Sequence, residues 1–206
     1  MCAWSIAAFA AMTEISAIAI VTESESRERL LELGHALAGT KLLDVVAGGE
    51  SRQASVAAGL AVLAGACDAV AVHDGARPLV LSEDVRTAMN EVRSGRAATL
   101  ATPVTDTIKE VDEAGRRVVR TIDRSRLWAA QTPQLAMFDE FVRAHDDARL
   151  RGREATDDAA LLEAIGVEVI VVPSSDQNFK VTYAYDLERA RVILAARRPP
   201  LVKTAG

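Results

Sequence analysis

Cysteine is almost absent: the chain has two, Cys2 and Cys67, in 206 residues. They have no paired spacing and no neighbouring His/Cys cluster, which argues against structural zinc and for a reducing compartment. Positive charge is also short. Lys and Arg number 24 against 29 Asp and Glu, a formal net charge of −5, so no global positive field recruits nucleic acid or an anionic membrane surface. An anionic ligand must therefore be met by cations that are local and few. Long apolar runs are missing too. The opening MCAWSIAAFAAM has the composition of a signal-peptide core, but no Lys or Arg precedes it and it is too short to span a bilayer. It reads as a buried helix with Trp4, Ile6, Ala7 and Phe9 on its apolar face. The expectation is a cytoplasmic protein with neither nucleic acid nor membrane as partner.

What remains is ordinary globular composition, 50% hydrophobic and 26% charged, at a length that fits one domain with a full core. There is no internal repeat and no low-complexity linker. Apolar, β-rich runs alternate with helical patterns through the first half. Strands are predicted at 15–22 (buried on both faces), 42–46, 68–73 and 97–104. Helices are predicted at 24–37 (with Ser24 a plausible cap), 52–64 and 83–92. That alternation implies an α/β, Rossmann-like fold, a mostly parallel sheet with helices on both faces. Residues 107–123 then alternate around the turn-like 112–115, the pattern of a β-hairpin projecting from the sheet as a protruding arm. Helices at 138–150 and 157–165, a strand at 167–172, an extended run at 178–181 and a helix at 185–196 complete the chain.

In an open parallel sheet, ligands collect at the carboxyl ends of strands, and three segments there carry candidate chemistry. The stretch 46–55 runs from a strand through Gly48, Gly49 and Glu50 into a helix. Its glycines permit close backbone approach to a ligand, and the helix start offers N–H groups and positive dipole. Arg52 and Ser55 lie one turn apart and can face one ligand; a glycine-rich turn with a cap explains the same residues. In His73-Asp74-Gly75-Ala76-Arg77-Pro78, Asp74 can hold a divalent cation or a substrate hydroxyl while Arg77 grips a phosphate. The alternative is a surface ion pair, and His73 reads as packing at the strand end. Lys180, in an otherwise apolar run, either snorkels to solvent or points at an anion. Asp123-Arg124 and Gln131–Gln134, flanking the arm, are compatible with plain turn chemistry.

Together, GGESRQASV, VHDGARP, ATPVTDTIKEV, TIDRSRLWAAQTPQ, ATDDAALLEAIG and NFKVT resemble, in order and spacing, the 2-C-methyl-D-erythritol 4-phosphate cytidylyltransferase family of non-mevalonate isoprenoid biosynthesis. The resemblance runs from about Trp4 to the final helix. It implies one cytidylyltransferase domain over 1–206, with an arm at about 105–132, that transfers CMP from CTP to methylerythritol phosphate and releases pyrophosphate with Mg2+. By that resemblance Arg124 and Lys180 are catalytic and hold the attacking phosphate. Asp74, Gly75, Ala76, Arg77, Thr107 and Thr132 line the polyol pocket, with Asp74 also a candidate metal ligand. Gly49, Glu50, Arg52 and Ser55 match the stretch that recognises the cytidine end. The arm resembles one that swaps across a homodimer, which puts Arg124 and Thr132 at the partner's site. The family's first strand, its Gly-rich phosphate loop and a following Pro-Lys have no counterpart here. The expectation is a central strand missing from the sheet and impaired CTP handling. Tyr183-Ala184-Tyr185 stands where the family usually has Thr-Pro, and Gly75 replaces a common alanine. The other readings are a ribitol 5-phosphate cytidylyltransferase, whose arm differs most, and an inactive polyol-phosphate-binding homologue.

Overall fold

A computed structural model describes residues 1–197. The first helix, α1 (Cys2–Ala10), is followed by β1 (Ile18–Thr22), α2 (Arg27–Ala38) and β2 (Leu42–Ala47). Next come α3 (Arg52–Leu63), β3 (Ala69–Val72), α4 (Ser82–Arg93) and β4 (Ala97–Pro103). The arm holds β5 (Lys109–Val111) and β6 (Val118–Thr121). It leads into β7 (Trp128–Met137), α5 (Phe138–Arg151), α6 (Asp158–Ala164), β8 (Val169–Pro173) and α7 (Ala184–Ala196). The alternation read from the sequence is therefore present in order. Residues 24–26 form a short 3-10 turn rather than the first turn of α2, and Ser26 holds the N-cap position of α2 without a side-chain hydrogen bond.

The sheet differs from the mostly parallel one expected. It is mixed and in pieces: a parallel pair β1-β2, a four-stranded sheet β3-β7-β4-β8, and the separate pair β5-β6. β7 runs antiparallel to both β3 and β4, whereas β4 and β8 are parallel. β7 went unread as a strand because WAAQTPQLAM carries Gln, Thr and Pro where a central strand normally carries β-branched apolar residues, and proline argues against such a strand. Its register against β4 is interrupted between Thr99 and Ala101, opposite Gln131–Pro133, so the ladder resumes on either side of those residues.

Period-2 alternation sorts this sheet's faces. Ala98, Leu100 and Leu135 pack with Val85, Ala88 and Val92 of α4. Ala97 and Ala136 pack on the other side with Phe141 and Ala144 of α5 and Leu161 and Leu162 of α6. A third cluster joins Ile6 of α1 to Ala38, Leu42 and Val45.

Instead of being buried on both faces, all five residues of β1 are half-buried. Among the described residues β1 pairs only with β2, and β3 only with β7. Between these strands lies a largely apolar slot of about 1060 Å³, lined by Ile18–Thr22, Asp68–Ala71, Phe9 and Cys67. Because β4 is hydrogen-bonded on both edges and β1 on one, native-state amide exchange is expected to find its slowest amides in Ala97–Ala101 and much faster exchange in β1. Equal protection of the two strands would contradict this picture.

Candidate active site

A polar cleft is built where β3, β7 and the loop after β8 converge. It is about 240 Å³ and lined by Arg52, Asp74, Arg77, Thr132, Thr156, Asp157 and Lys180, among others. Asp74 is its hub. Lys180 Nζ lies 3.2 Å from Asp74 Oδ2, Arg77 Nε 3.7 Å from the same oxygen, and Arg52 Nε 3.7 Å from Oδ1. Three cations thus converge on one carboxylate, in a chain whose net charge is negative. The cluster supplies the local positive charge an anionic ligand requires.

Each cation is positioned by its surroundings. Arg77 donates through Nη1 to the carbonyl of Asn178 at 2.8 Å, while its buried Nε has no hydrogen-bond partner. Burial holds its pKa below the usual arginine range despite the opposing pull of Asp74. Asn178 is fully buried and donates to Gln131 Oε1 and to the Thr132 carbonyl. The extended run at 178–181 joins no ladder. Instead, Val181 N–H donates to the Ala76 carbonyl at 2.8 Å, fastening the Lys180 segment to the Asp74 loop.

Thr132 lines its own chain's cleft. The Asp74 N–H donates to Thr132 Oγ1 at 3.0 Å, and His73 Nδ1 lies 3.1 Å from the same hydroxyl. His73 Nε2 faces the Arg77 carbonyl at 3.0 Å. A carbonyl only accepts, so Nε2 carries the proton and Nδ1 accepts from the Thr132 hydroxyl. His73 is therefore a neutral brace under the loop, also packed against Phe9. Burial pushes its pKa down to about 4 from 6.5. Since the unfolded chain takes up a proton that the folded chain refuses, stability is unaffected by this group at neutral pH. It falls as pH drops from 6.5 to 4, by about 3 kcal/mol in all. Denaturant titrations of wild type and His73→Gln should show the wild type's advantage shrinking over that window; a pH-independent gap would contradict the assignment.

The glycine loop is closely packed. A Cβ on Gly49 would lie 2.5 Å from Ala54 Cβ, and one on Gly48 2.6 Å from Ser55 Oγ. Ser51 caps α3 by accepting from Ala54 N–H. Ser55 bonds back to the Ser51 carbonyl and to Gly49 N–H. Arg52 turns instead to the cleft and to Asp158, with Nη2 2.7 Å from Asp158 Oδ2. Arg52 and Ser55 therefore face different partners, while Gly49 and Glu50 are exposed.

Gly75 and Ala76 form the turn after Asp74, with the Ala76 carbonyl engaged by Val181. Thr107 and Arg124 are exposed on the arm. Arg124 donates to the Thr105 carbonyl, and neither residue lines the cleft of its own chain. Among the described residues, no group of three His, Cys, Asp or Glu side chains could hold a metal. Asp74, engaged by three cations, is by itself no cage for a hard divalent ion, which asks for several oxygen ligands. Sequence reasoning missed Thr156 and Asp157, which line the cleft with Gln134, and the buried His145 and Asp158 behind it. For Thr156, Asp157 and Asp158 the available signal was the ATDDAALLEAIG stretch, in which no residue had a role; His145 lies outside it.

No helix among the described residues is long and apolar enough to cross a membrane. The family model for IspD, 2-C-methyl-D-erythritol 4-phosphate cytidylyltransferase, matches residues 1–196. Proteins of that name from Parasynechococcus marenigrum and Pelotomaculum thermopropionicum are similar. The first is 41% identical over 95% of this chain and 85% of its own length, the second 39% over 93% and 80%. The structure is similar to a crystal structure of the Thermus thermophilus enzyme, at TM-score 0.78 and 30% identity over 93% of this chain and 87% of that one. It also matches a 4-diphosphocytidyl-2C-methyl-D-erythritol synthase from Anaerococcus prevotii, at TM-score 0.85 and 25% identity over 94% and 85%.

Proposed function

The chain belongs to the 2-C-methyl-D-erythritol 4-phosphate cytidylyltransferase family, a family of CTP-dependent enzymes of isoprenoid biosynthesis, and on that premise we propose that its Asp74 cleft receives the polyol phosphate. The observation that carries this reading is the convergence of Lys180 and Arg77 on Asp74 Oδ2, with Arg52 on the opposite oxygen, Oδ1, toward the nucleotide end. A phosphate entering the cleft meets a preformed cationic wall, and hydroxyls meet Asp74, Thr132 and Thr156. The reaction joins two polyanions: a phosphate oxygen of the substrate bonds to the α-phosphorus of CTP as the α–β bridging bond breaks and pyrophosphate leaves. Catalysis is then mainly positioning and charge neutralisation. Lys180 holds the attacking phosphate, Asp74 and Arg77 fix the polyol, and Arg52 with Gly49, Glu50 and Ser55 forms the nucleotide end. Mg2+, which the resemblance implies, finds no cage in these side chains among the described residues.

Residues 1–197 act as one domain, in the cytoplasm; the rest of the expected 1–206 span lies outside the described residues. The arm joins two copies: Val111, Val118, Val119 and Trp128 leave apolar surface exposed on it, and an isolated two-stranded ribbon is marginal in water. Thr107 and Arg124 then act at the partner's cleft. Steady-state turnover with CTP and either methylerythritol phosphate or ribitol 5-phosphate tests the substrate. Faster transfer to methylerythritol phosphate is expected; faster transfer to ribitol phosphate would overturn the assignment.

A further inference from the structure

The N-terminus of α6 is capped without help from Asp158. Asp157 accepts from Ala160 N–H at 3.0 Å, and Gln134 Oε1 accepts from the N–H groups of both Asp158 and Ala159 at 2.9 Å. Gln134 is itself fixed by donating to Thr99 Oγ1 and Asp157 Oδ2. The Asp158 carboxylate is nevertheless 1% exposed, and its two oxygens are divided between two other helices. Oδ2 takes Arg52 Nη2 of α3 at 2.7 Å, and Oδ1 lies 3.1 Å from His145 Nε2 of α5. Although burial pushes the Asp158 carboxyl up, the bonds from His145 and Arg52 hold it below the usual carboxylate range.

His145 is equally committed. A carboxylate only accepts, so Nε2 carries the proton toward Asp158. The opposite nitrogen, Nδ1, is buried with no hydrogen-bond partner. The imidazole thus forgoes one bond and keeps the one that orients Asp158. Beyond Asp158, the Arg52 guanidinium spans from this buried pair to Asp74 in the cleft, its Nε 3.7 Å from Asp74 Oδ1.

We propose that Asp158, oriented by His145, is a positioning residue that locks the Arg52 guanidinium in its cleft-facing rotamer before ligand arrives. A long, flexible arginine loses much rotamer freedom when a ligand must order it. A buried carboxylate that orders it in advance removes that cost from binding. The inference rests on the assignment of Arg52 to the nucleotide end, so the effect is read chiefly in the KM for CTP.

Two readouts test it. In steady-state kinetics, Asp158→Asn keeps the shape and removes the charge. It should raise the KM for CTP about tenfold while kcat changes less than about threefold. Arg52→Ala should do the same, and the double variant should be no worse than either alone, since one interaction is lost only once. His145→Gln, which retains a donor, should stay within about threefold of wild type, whereas His145→Leu should follow Asp158→Asn. The second readout needs no turnover: the heteronuclear NOE of the Arg52 Nε–H group, rigid in wild type, should fall in Asp158→Asn and in His145→Leu. A lower melting temperature with unchanged KM and an unchanged, rigid Arg52 signal would reduce Asp158 to a packing role and overturn the proposal. Additive losses in the double variant would overturn it too. If wild type fails to turn over methylerythritol phosphate, the proposed function falls, and the Arg52 signal still decides the positioning role.

Discussion

Lys180→Ala is expected to lower kcat/KM for methylerythritol phosphate by about ten- to a hundredfold, the range of one lost charge-assisted contact. The ammonium stands 3.2 Å from Asp74 Oδ2 and is half-exposed, so its removal leaves no buried charge unpaired. The backbone of its segment is held independently, by Val181 N–H on the Ala76 carbonyl and by the buried Asn178 side chain. Unfolding is therefore not the expected route of the loss, and an unchanged melting temperature should accompany it. Near-normal turnover in this variant would contradict the role assigned to Lys180.

The second large effect is a recovery. Arg124→Ala and Asp74→Ala, each in a homodimer, should be almost inactive. Arg124 bonds to its own chain's Thr105 and does not line that chain's cleft, so the role proposed for it requires a second copy. In a heterodimer carrying Arg124→Ala in one subunit and Asp74→Ala in the other, one site combines an intact Asp74 with an intact partner Arg124. The opposite site carries both defects. Isolated heterodimers should therefore regain about half of wild-type activity. If Arg124 served its own subunit, every site would carry one defect and no activity would return. Thr132 provides the internal contrast: its hydroxyl braces Asp74 N–H within the same chain, so pairing Thr132→Ala with Asp74→Ala across subunits should restore nothing.

The sequence conveyed the layer order and much of the cleft, and where it failed the reasons are physical. Apolar runs such as Asp68–His73 and Ala97–Val104 announce strands because their neighbours bury them, and β3 and β4 lie there. β7 announces nothing. Its buried residues include Gln131, Thr132 and Gln134, whose polar atoms are satisfied by Asn178, His73, Asp157 and the start of α6. Such satisfaction is a property of the assembled fold, and without it a Gln-Thr-Pro-Gln run reads as a turn. The antiparallel direction of β7 was hidden for the same reason, since a strand unread carries no orientation.

Asp74, Arg77 and Lys180 were legible as suspects because charged residues beside apolar strand ends are costly unless used. Their convergence on one another was not, because a separation of 106 positions between Asp74 and Lys180 is closed only by the loop after β8. Asp158 and His145 were invisible on harsher terms: each sits on a helix whose sequence accommodates a surface polar residue, and only burial reveals that neither is at the surface.

The central claim is that this protein moves CMP from CTP onto methylerythritol phosphate at the Asp74 cleft. Its most direct test is pyrophosphate release from CTP, followed with and without methylerythritol phosphate while the cytidylylated product is quantified. The account predicts release that depends on the polyol phosphate, one pyrophosphate for each product formed, and near-complete loss of both in Asp74→Ala. Release without the polyol phosphate, or turnover undiminished in Asp74→Ala, would contradict it.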